Sequence, residues 1–193
     1  MLYFRLKSVL LHPVNNSIIQ IHDKNFEVYL SQERIDQAVK TLAQTINSTY
    51  ATKEVIFVAV LNGAFMFSSD LLKQINLTCQ VSFVKMASYQ GTQSTGRVDQ
   101  LIGLDNSIEG KHIVILEDIV DTGLTLEKLR VLLGNDEPAS IATATLLFKP
   151  EAFKGKINPE FVGITIPNDF VVGYGLDYNE HGRNLKEIYK LVD

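Results

Sequence analysis

Two uninterrupted apolar runs constrain this chain most: Val55-Ile56-Phe57-Val58-Ala59-Val60-Leu61 and Ile113-Val114-Ile115-Leu116. A strand with one wet face alternates apolar and polar side chains, so a continuous run belongs to a sheet covered on both faces. The first run stops at Asn62-Gly63, a turn signal, and residues 64–75 then follow a helical pattern. The second stops at Glu117-Asp118. Gly123 follows, and then a helix over about 124–133 with Leu126, Leu129, Val131, Leu132 and Leu133 apolar. Gly134-Asn135-Asp136 ends that helix, with Pro138 just beyond. A third strand over 141–148 is closed by Lys149-Pro150, and residues 161–166 and 170–172 are further strand candidates. Ahead of them all, Ser31 is a good N-cap for a helix over 31–50, with Ile35, Ala38, Val39, Leu42 and Ile46 at helical spacing. Strands alternating with helices predict an α/β fold with a mainly parallel, twisted sheet flanked by helices.

The length, 193 residues, suits a single domain with a real core. Hydrophobic residues make up 46% and charged residues 21%, which excludes a disordered chain. The net charge of −4 argues against a nucleic-acid binder, which needs a basic footprint to displace counterions. One cysteine, Cys79, allows neither an intrachain disulfide nor a cysteine-based zinc cluster, and a reduced, cytoplasmic setting is the simplest expectation. No apolar run approaches the roughly 18 residues of a membrane helix. The first seven residues have no extended apolar region or small-residue cleavage site, so no secretory leader is expected. His12, His22, His112 and His181 show no helical metal-binding spacing.

Residues 88–110 differ in character. They hold Gln, Ser, Thr, Gly and Asp with few large apolar side chains, which suggests an unpacked functional loop such as a lid. In open α/β sheets ligands bind beyond the carboxyl ends of the strands. That rule points to Asn62-Gly63, residues 117–125, Lys149 and residues 168–177. The strongest string is Glu117-Asp118-Ile119-Val120-Asp121-Thr122-Gly123-Leu124-Thr125. The N–H groups of a helix start favour an anion such as phosphate. Gly123 allows close backbone approach, and the Thr122 and Thr125 hydroxyls can donate to phosphate oxygens. The carboxylates repel that phosphate, and suit sugar hydroxyls, a divalent cation or a proton transfer. A ligand with phosphate at one end and hydroxyls at the other, a sugar phosphate, meets both demands. The plainer alternative is an acidic strand-to-helix turn with capping threonines.

This string resembles the phosphoribosyl pyrophosphate (PRPP) signature of type I phosphoribosyltransferases. The likeness to hypoxanthine-guanine phosphoribosyltransferases is closer. It includes Met86-Ala87-Ser88-Tyr89, Gln93-Ser94-Thr95-Gly96, Leu147-Phe148-Lys149 and the string Phe170-Val-Val-Gly-Tyr-Gly-Leu-Asp-Tyr-Asn-Glu180, in family order, over roughly residues 25–190. The resemblance implies one domain, with a core over about 50–165 and a small hood from about 1–30 and 166–193. It implies transfer of phosphoribose from PRPP to hypoxanthine, and to guanine, with Mg²⁺. Glu117 and Asp118 would hold the ribose hydroxyls with Mg²⁺ nearby. The backbone of Asp121, Thr122, Gly123, Leu124 and Thr125, with both threonine hydroxyls, would cradle the 5′-phosphate. Asp121 would exchange a proton with purine N7, and burial or neighbouring acids would be expected to raise its pKa. Lys149 would donate to the 6-oxo group, Phe170 would stack on the purine, and the Val171 backbone would read the base edge. The bland alternatives are a solvated edge charge for Lys149 and core packing for Phe170. Asp177 would hold a second Mg²⁺ beside the base and pyrophosphate. Arg183 would contact pyrophosphate oxygens, as would the backbone of Leu61, Asn62 and Gly63, where relatives often have a non-proline cis peptide. Ser88 and Tyr89 would lie at the root of a mobile loop that closes over the site.

The chain departs from the pattern at two places. Many relatives carry Lys or Arg where Asn62 stands and glycine where Ala64 stands, so position 62 offers pyrophosphate no charged side chain. A transferase for another base such as xanthine, and a regulator that keeps the PRPP loop as a sensor, are the competing readings. Relatives also imply a homodimer or homotetramer.

Overall fold

The computed structural model describes residues 18–86, 98–102 and 107–192. A six-stranded sheet forms the centre, in the order β5-β4-β3-β6-β7-β8. These are β3 (Val55–Leu61), β4 (Cys79–Met86), β5 (Val98–Ile102), β6 (His112–Val120), β7 (Ser140–Phe148) and β8 (Phe161–Thr165). The five strands from β4 to β8 across this order pair in parallel, and β5 adds an antiparallel edge to β4. The apolar runs are continuous because the pleat sends alternate residues to two different cores. Val55, Phe57, Ala59, Val114 and Leu116 join helices α1 (Gln32–Thr49) and α2 (Phe65–Leu72) on one face. Ile56, Val58, Val60, Ile113 and Ile115 join α3 (Leu124–Gly134) on the other.

Helix α1 begins as expected, with the Ser31 hydroxyl accepting from the Arg34 N–H at 3.4 Å. It buries Ile35, Ala38, Val39, Leu42, Ala43 and Ile46. Helix α2 is shorter than the pattern over 64–75. It ends at Leu72, and the next turn tightens through bonds from Gln74 N to Leu71 O and Ile75 N to Leu72 O.

Strand β6 runs past Leu116 to Val120, because β7 supplies partners for its backbone: Glu117 pairs with Thr145, Ile119 with Leu147 and Val120 with Phe148. Glu117 and Asp118 therefore stand on a strand and not in a loop. Residues 88–110 are not unpacked throughout, since β5 lies within them and pairs with β4 from Phe83↔Ile102 to Met86↔Val98. Ser88 and Tyr89 lie outside the described residues.

A second, four-stranded sheet has the order β1-β2-β10-β9: β1 (Ile19–Ile21), β2 (Lys24–Leu30), β10 (Ile188–Val192) and β9 (Val171–Val172). It draws on both ends of the described chain, packed around Phe26, Val172 and Tyr189. Among the described residues no helix is long and apolar enough to cross a membrane.

Candidate active site

The carboxyl ends of β3, β6 and β7 lie side by side, and each delivers a residue singled out above. From β6 comes the acid pair. Glu117 is 7% exposed, and burial pushes its carboxyl well above the usual carboxylate range, with the neighbouring Asp118 adding to the rise. Asp118 is pushed up to about 6 by burial, although the Ile119 N–H donates to its Oδ1 at 2.9 Å and Arg183 works in the opposite direction. Burial raises both carboxyls, and Asp118 adds to the rise at Glu117; two desolvated acids side by side suit a divalent cation. Among the described residues no cluster of three or more ligating side chains forms a closed cage. The two neighbouring carboxylates, Glu117 and Asp118, are a donor set that Mg²⁺ can use, since it takes one or two carboxylates and fills the rest of its shell with water and substrate oxygens.

Immediately after β6 the chain turns into α3 through Gly123, whose φ of 77° is left-handed. The Leu124 N–H is 3.5 Å from Thr122 Oγ1, and Glu127 N bonds Gly123 O. A hollow of about 120 Å³ is lined by Glu117, Asp121, Thr122, Gly123 and Thr125 among others. Thr122 and Thr125 are exposed beside it. The string thus brings the start of α3, two exposed threonines, the buried Glu117 and the half-exposed Asp121 around one hollow.

Lys149, at the end of β7, is 6% exposed and so is no solvated edge charge. Its backbone N–H bonds Val120 O, and its Nζ lies 3.1 Å from Asp121 Oδ2. The burial expected at Asp121 falls instead on Glu117 and Asp118: the Asp121 side chain is 45% exposed. The reason is position, since Asp121 lies past Val120, the last residue of the strand paired with β7.

Asn62 and Gly63 follow β3, and the Leu61–Asn62 peptide bond is cis. A Cβ on Gly63 would collide with Asp118 Oδ2, and one on Gly175 would collide with the Gly63 carbonyl oxygen. Three separate strings are therefore in direct contact. Arg183 closes the group, donating from Nη1 to Gly175 O at 2.7 Å and from Nη2 to Asp177 Oδ1 at 2.6 Å. Asp177 Oδ2 also accepts from the Glu180 N–H, so both of its oxygens are engaged.

Phe170 is 45% exposed and thus not a core residue. Its ring meets Tyr178 edge-on at 5.9 Å and tilts against Phe26 at 6.2 Å. Val171 is buried on β9, paired with Lys190.

Three supports escaped the sequence reading. Phe153 fills the space a Cβ would take on Gly123 and on Gly155, and the Lys154 N–H bonds Thr122 O, so residues 153–155 brace the turn into α3. Tyr174 reaches Asp70 of α2 at 2.6 Å. Tyr178 reaches Asp23 at 2.8 Å. The glycines at 123 and 175 were visible signals, but their partners are remote in sequence.

A family model described as the phosphoribosyl transferase domain matches residues 26–179. The hypoxanthine-guanine phosphoribosyltransferase of Aquifex aeolicus is 39% identical over 176 residues, covering 90% of this chain and 99% of that protein. The hypoxanthine phosphoribosyltransferase of Haemophilus influenzae is 42% identical over 171 residues, 86% of this chain and 95% of that one. Among solved structures, a hypoxanthine phosphoribosyltransferase from Staphylococcus aureus superposes with a TM-score of 0.79 at 40% identity, covering 86% of this chain and 91% of that one. The chain belongs to the phosphoribosyltransferase family, and within it to the hypoxanthine-guanine phosphoribosyltransferases, transferases of purine salvage.

Proposed function

We propose that this chain transfers the 5-phosphoribosyl group of PRPP to N9 of hypoxanthine, and of guanine, giving IMP or GMP and pyrophosphate. The observation that carries this reading is the Lys149–Asp121 pair at the mouth of β6 and β7, one residue before the turn into α3. In the reaction the bond from ribose C1 to the pyrophosphate oxygen breaks and the bond from N9 to C1 forms. The pyrophosphate leaves with the bonding electrons. The N7 proton passes to Asp121, which makes the purine a better nucleophile as N9 bonds. Negative charge then moves onto the 6-oxo group, where the buried Lys149 ammonium stabilises it. The backbone from Asp121 to Thr125, with the Thr122 and Thr125 hydroxyls, binds the 5′-phosphate.

Glu117 and Asp118 hold the ribose hydroxyls and a Mg²⁺ ion, and Asp177 serves a second one. When bound, Mg²⁺ offsets the charge that gathers on the departing pyrophosphate. Arg183 binds pyrophosphate oxygens through its planar fork, beside the backbone of Leu61, Asn62 and Gly63. Phe170 stacks on the purine, and the Val171 backbone reads its edge. A loop rooted at Ser88 and Tyr89 closes over the site to exclude water. The four-stranded sheet is the hood of a single domain over residues 1–193. A cytoplasmic homodimer or homotetramer completes the reading, and sedimentation checks the assembly.

Formation of IMP from hypoxanthine, PRPP and Mg²⁺, followed by absorbance, is the expected result. Absence of turnover with hypoxanthine, guanine and xanthine alike overturns the proposal.

A further inference from the structure

Two turns from opposite ends of the chain are clasped together beside Phe170. The β1–β2 turn carries His22 and Asp23, and the turn after Asp177 carries Tyr178, Asn179, Glu180 and His181. The Tyr178 hydroxyl donates to Asp23 Oδ1 at 2.8 Å, and His22 Nε2 lies 3.0 Å from His181 Nδ1. His22 also meets the Tyr178 ring edge-on at 5.7 Å. Both turns have left-handed backbone at non-glycine residues: His22 at φ 53°, Asn179 at 50° and Glu180 at 68°. His and Asn tolerate that region better than most residues, whereas Glu180 there marks a turn whose shape the surroundings impose.

The clasp bears on the purine site through Tyr178. Its ring stands at 87° to Phe170 and 6.2 Å from Phe26, which is fully buried. Phe170 therefore packs between the tilted ring of the buried Phe26 and the perpendicular ring of Tyr178, while 45% of it remains exposed. The Tyr178–Asp23 bond is charge-assisted: it lowers the Asp23 carboxyl and raises the Tyr178 phenol from their ordinary values.

We propose that Asp23 and Tyr178 are positioning residues for the purine, their hydrogen bond holding Tyr178 edge-on against Phe170 and so fixing the plane of the ring offered to the base. This rests on the phosphoribosyltransferase reading above, in which Phe170 stacks on the base. Neither residue touches the reacting atoms. Their effect falls on the base and spares PRPP, because the clasp joins the side of the site that carries Phe170 and not the α3 turn.

The test is steady-state kinetics on the full chain with each substrate varied separately. In Tyr178→Phe, which removes a single oxygen, the KM for hypoxanthine rises about three- to tenfold, as expected for the loss of one charge-assisted hydrogen bond acting through a neighbour. The KM for PRPP stays within about twofold. Asp23→Ala gives the same split, and Asp23→Asn, which keeps an oxygen for the phenol, recovers most of the loss. The double variant Asp23→Ala/Tyr178→Phe is no worse than either single one, because the two side chains act as a unit. Equal rises in both KM values, additive losses, or a lowered Tm with both KM values unmoved would each overturn the proposal. A wild-type protein that turns over none of hypoxanthine, guanine and xanthine overturns the functional reading and this inference together. An active wild type with indistinguishable variants overturns this inference alone.

Discussion

Asp118 and Asp121 belong to one short string, and the fold treats them in opposite ways. Asp118 is held between Gly63 and the Ile119 N–H, with its carboxyl pushed up to about 6 by burial. Asp121 is nearly half-exposed and ion-paired to Lys149. For Asp118, the folded chain holds a proton more tightly than the unfolded chain, whose aspartates titrate near ~3.9. Its favourable contribution is therefore complete below that value and is lost as the pH rises through about 6. Asp118→Asn is expected to raise the stability of the metal-free protein by about 1–3 kcal/mol at pH 7.5 and by nothing at pH 4, as read from thermal unfolding at the two pH values. A gain of the same size at both would refute this account. Turnover of Asp118→Asn falls, because the pair loses a carboxylate. Asp121→Asn should cut kcat at least about 100-fold, the scale of general-base catalysis, while far-UV circular dichroism stays unchanged. Undiminished turnover would remove Asp121 as the base. The residue types at these places were legible in the sequence, but the difference in burial was not, because it depends on which neighbouring strand covers each carboxylate.

At the scale of elements, the turn from β6 into α3 shows how a local signal depends on a remote support. Gly123 is required twice over: its φ is left-handed, and any Cβ would enter the Phe153 ring. Gly123→Ala is expected to raise the KM for PRPP at least tenfold, since left-handed backbone costs an L-residue about 1–2 kcal/mol before the collision is counted. Adding Phe153→Ala restores part of the loss by removing the steric component. If the second substitution makes no difference, Phe153 does not brace the turn. At the other end of the chain, Ser31→Ala removes the N-cap of α1 and is expected to cost about 1 kcal/mol of stability with both KM values intact. The main helices and buried strands were legible because period 3.6 and continuous apolar runs are local properties. Strand β5 was not, since its hydrogen-bond partner β4 is what makes it a strand. The extension of β6 to Val120 was hidden for the same reason, polar residues there being held by pairing with β7.

For the molecule as a whole, the two cores of the central sheet are built from apolar side chains and owe nothing to the acid pair. Chelation of divalent cations is therefore expected to abolish IMP formation without unfolding the chain, and Mg²⁺ should restore it. A loss of circular dichroism on chelation would instead give the cation a structural role. The net charge of −4 first argued only against nucleic acid. In the folded chain Glu117 and Asp118 stand near the carboxyl end of the central strand β6, Asp121 follows it, and Arg183 acts on Asp118 from the turn after Asp177; on the proposed reading the helix-start N–H groups, Arg183 and a cation would together offset the carboxylates toward a polyphosphate. The α/β class, the two-sided burial of the sheet and the strings at 117–125 and 170–180 were all legible along the chain, because periodicity and turn chemistry are carried by neighbouring residues. Tertiary structure alone decided that Lys149 meets Asp121, that Gly63 lies against both Asp118 and Gly175, and that Asp23 clasps Tyr178. Those contacts join residues far apart in the chain, and only the pairing of strands and the meeting of the two chain ends bring such residues within hydrogen-bonding reach.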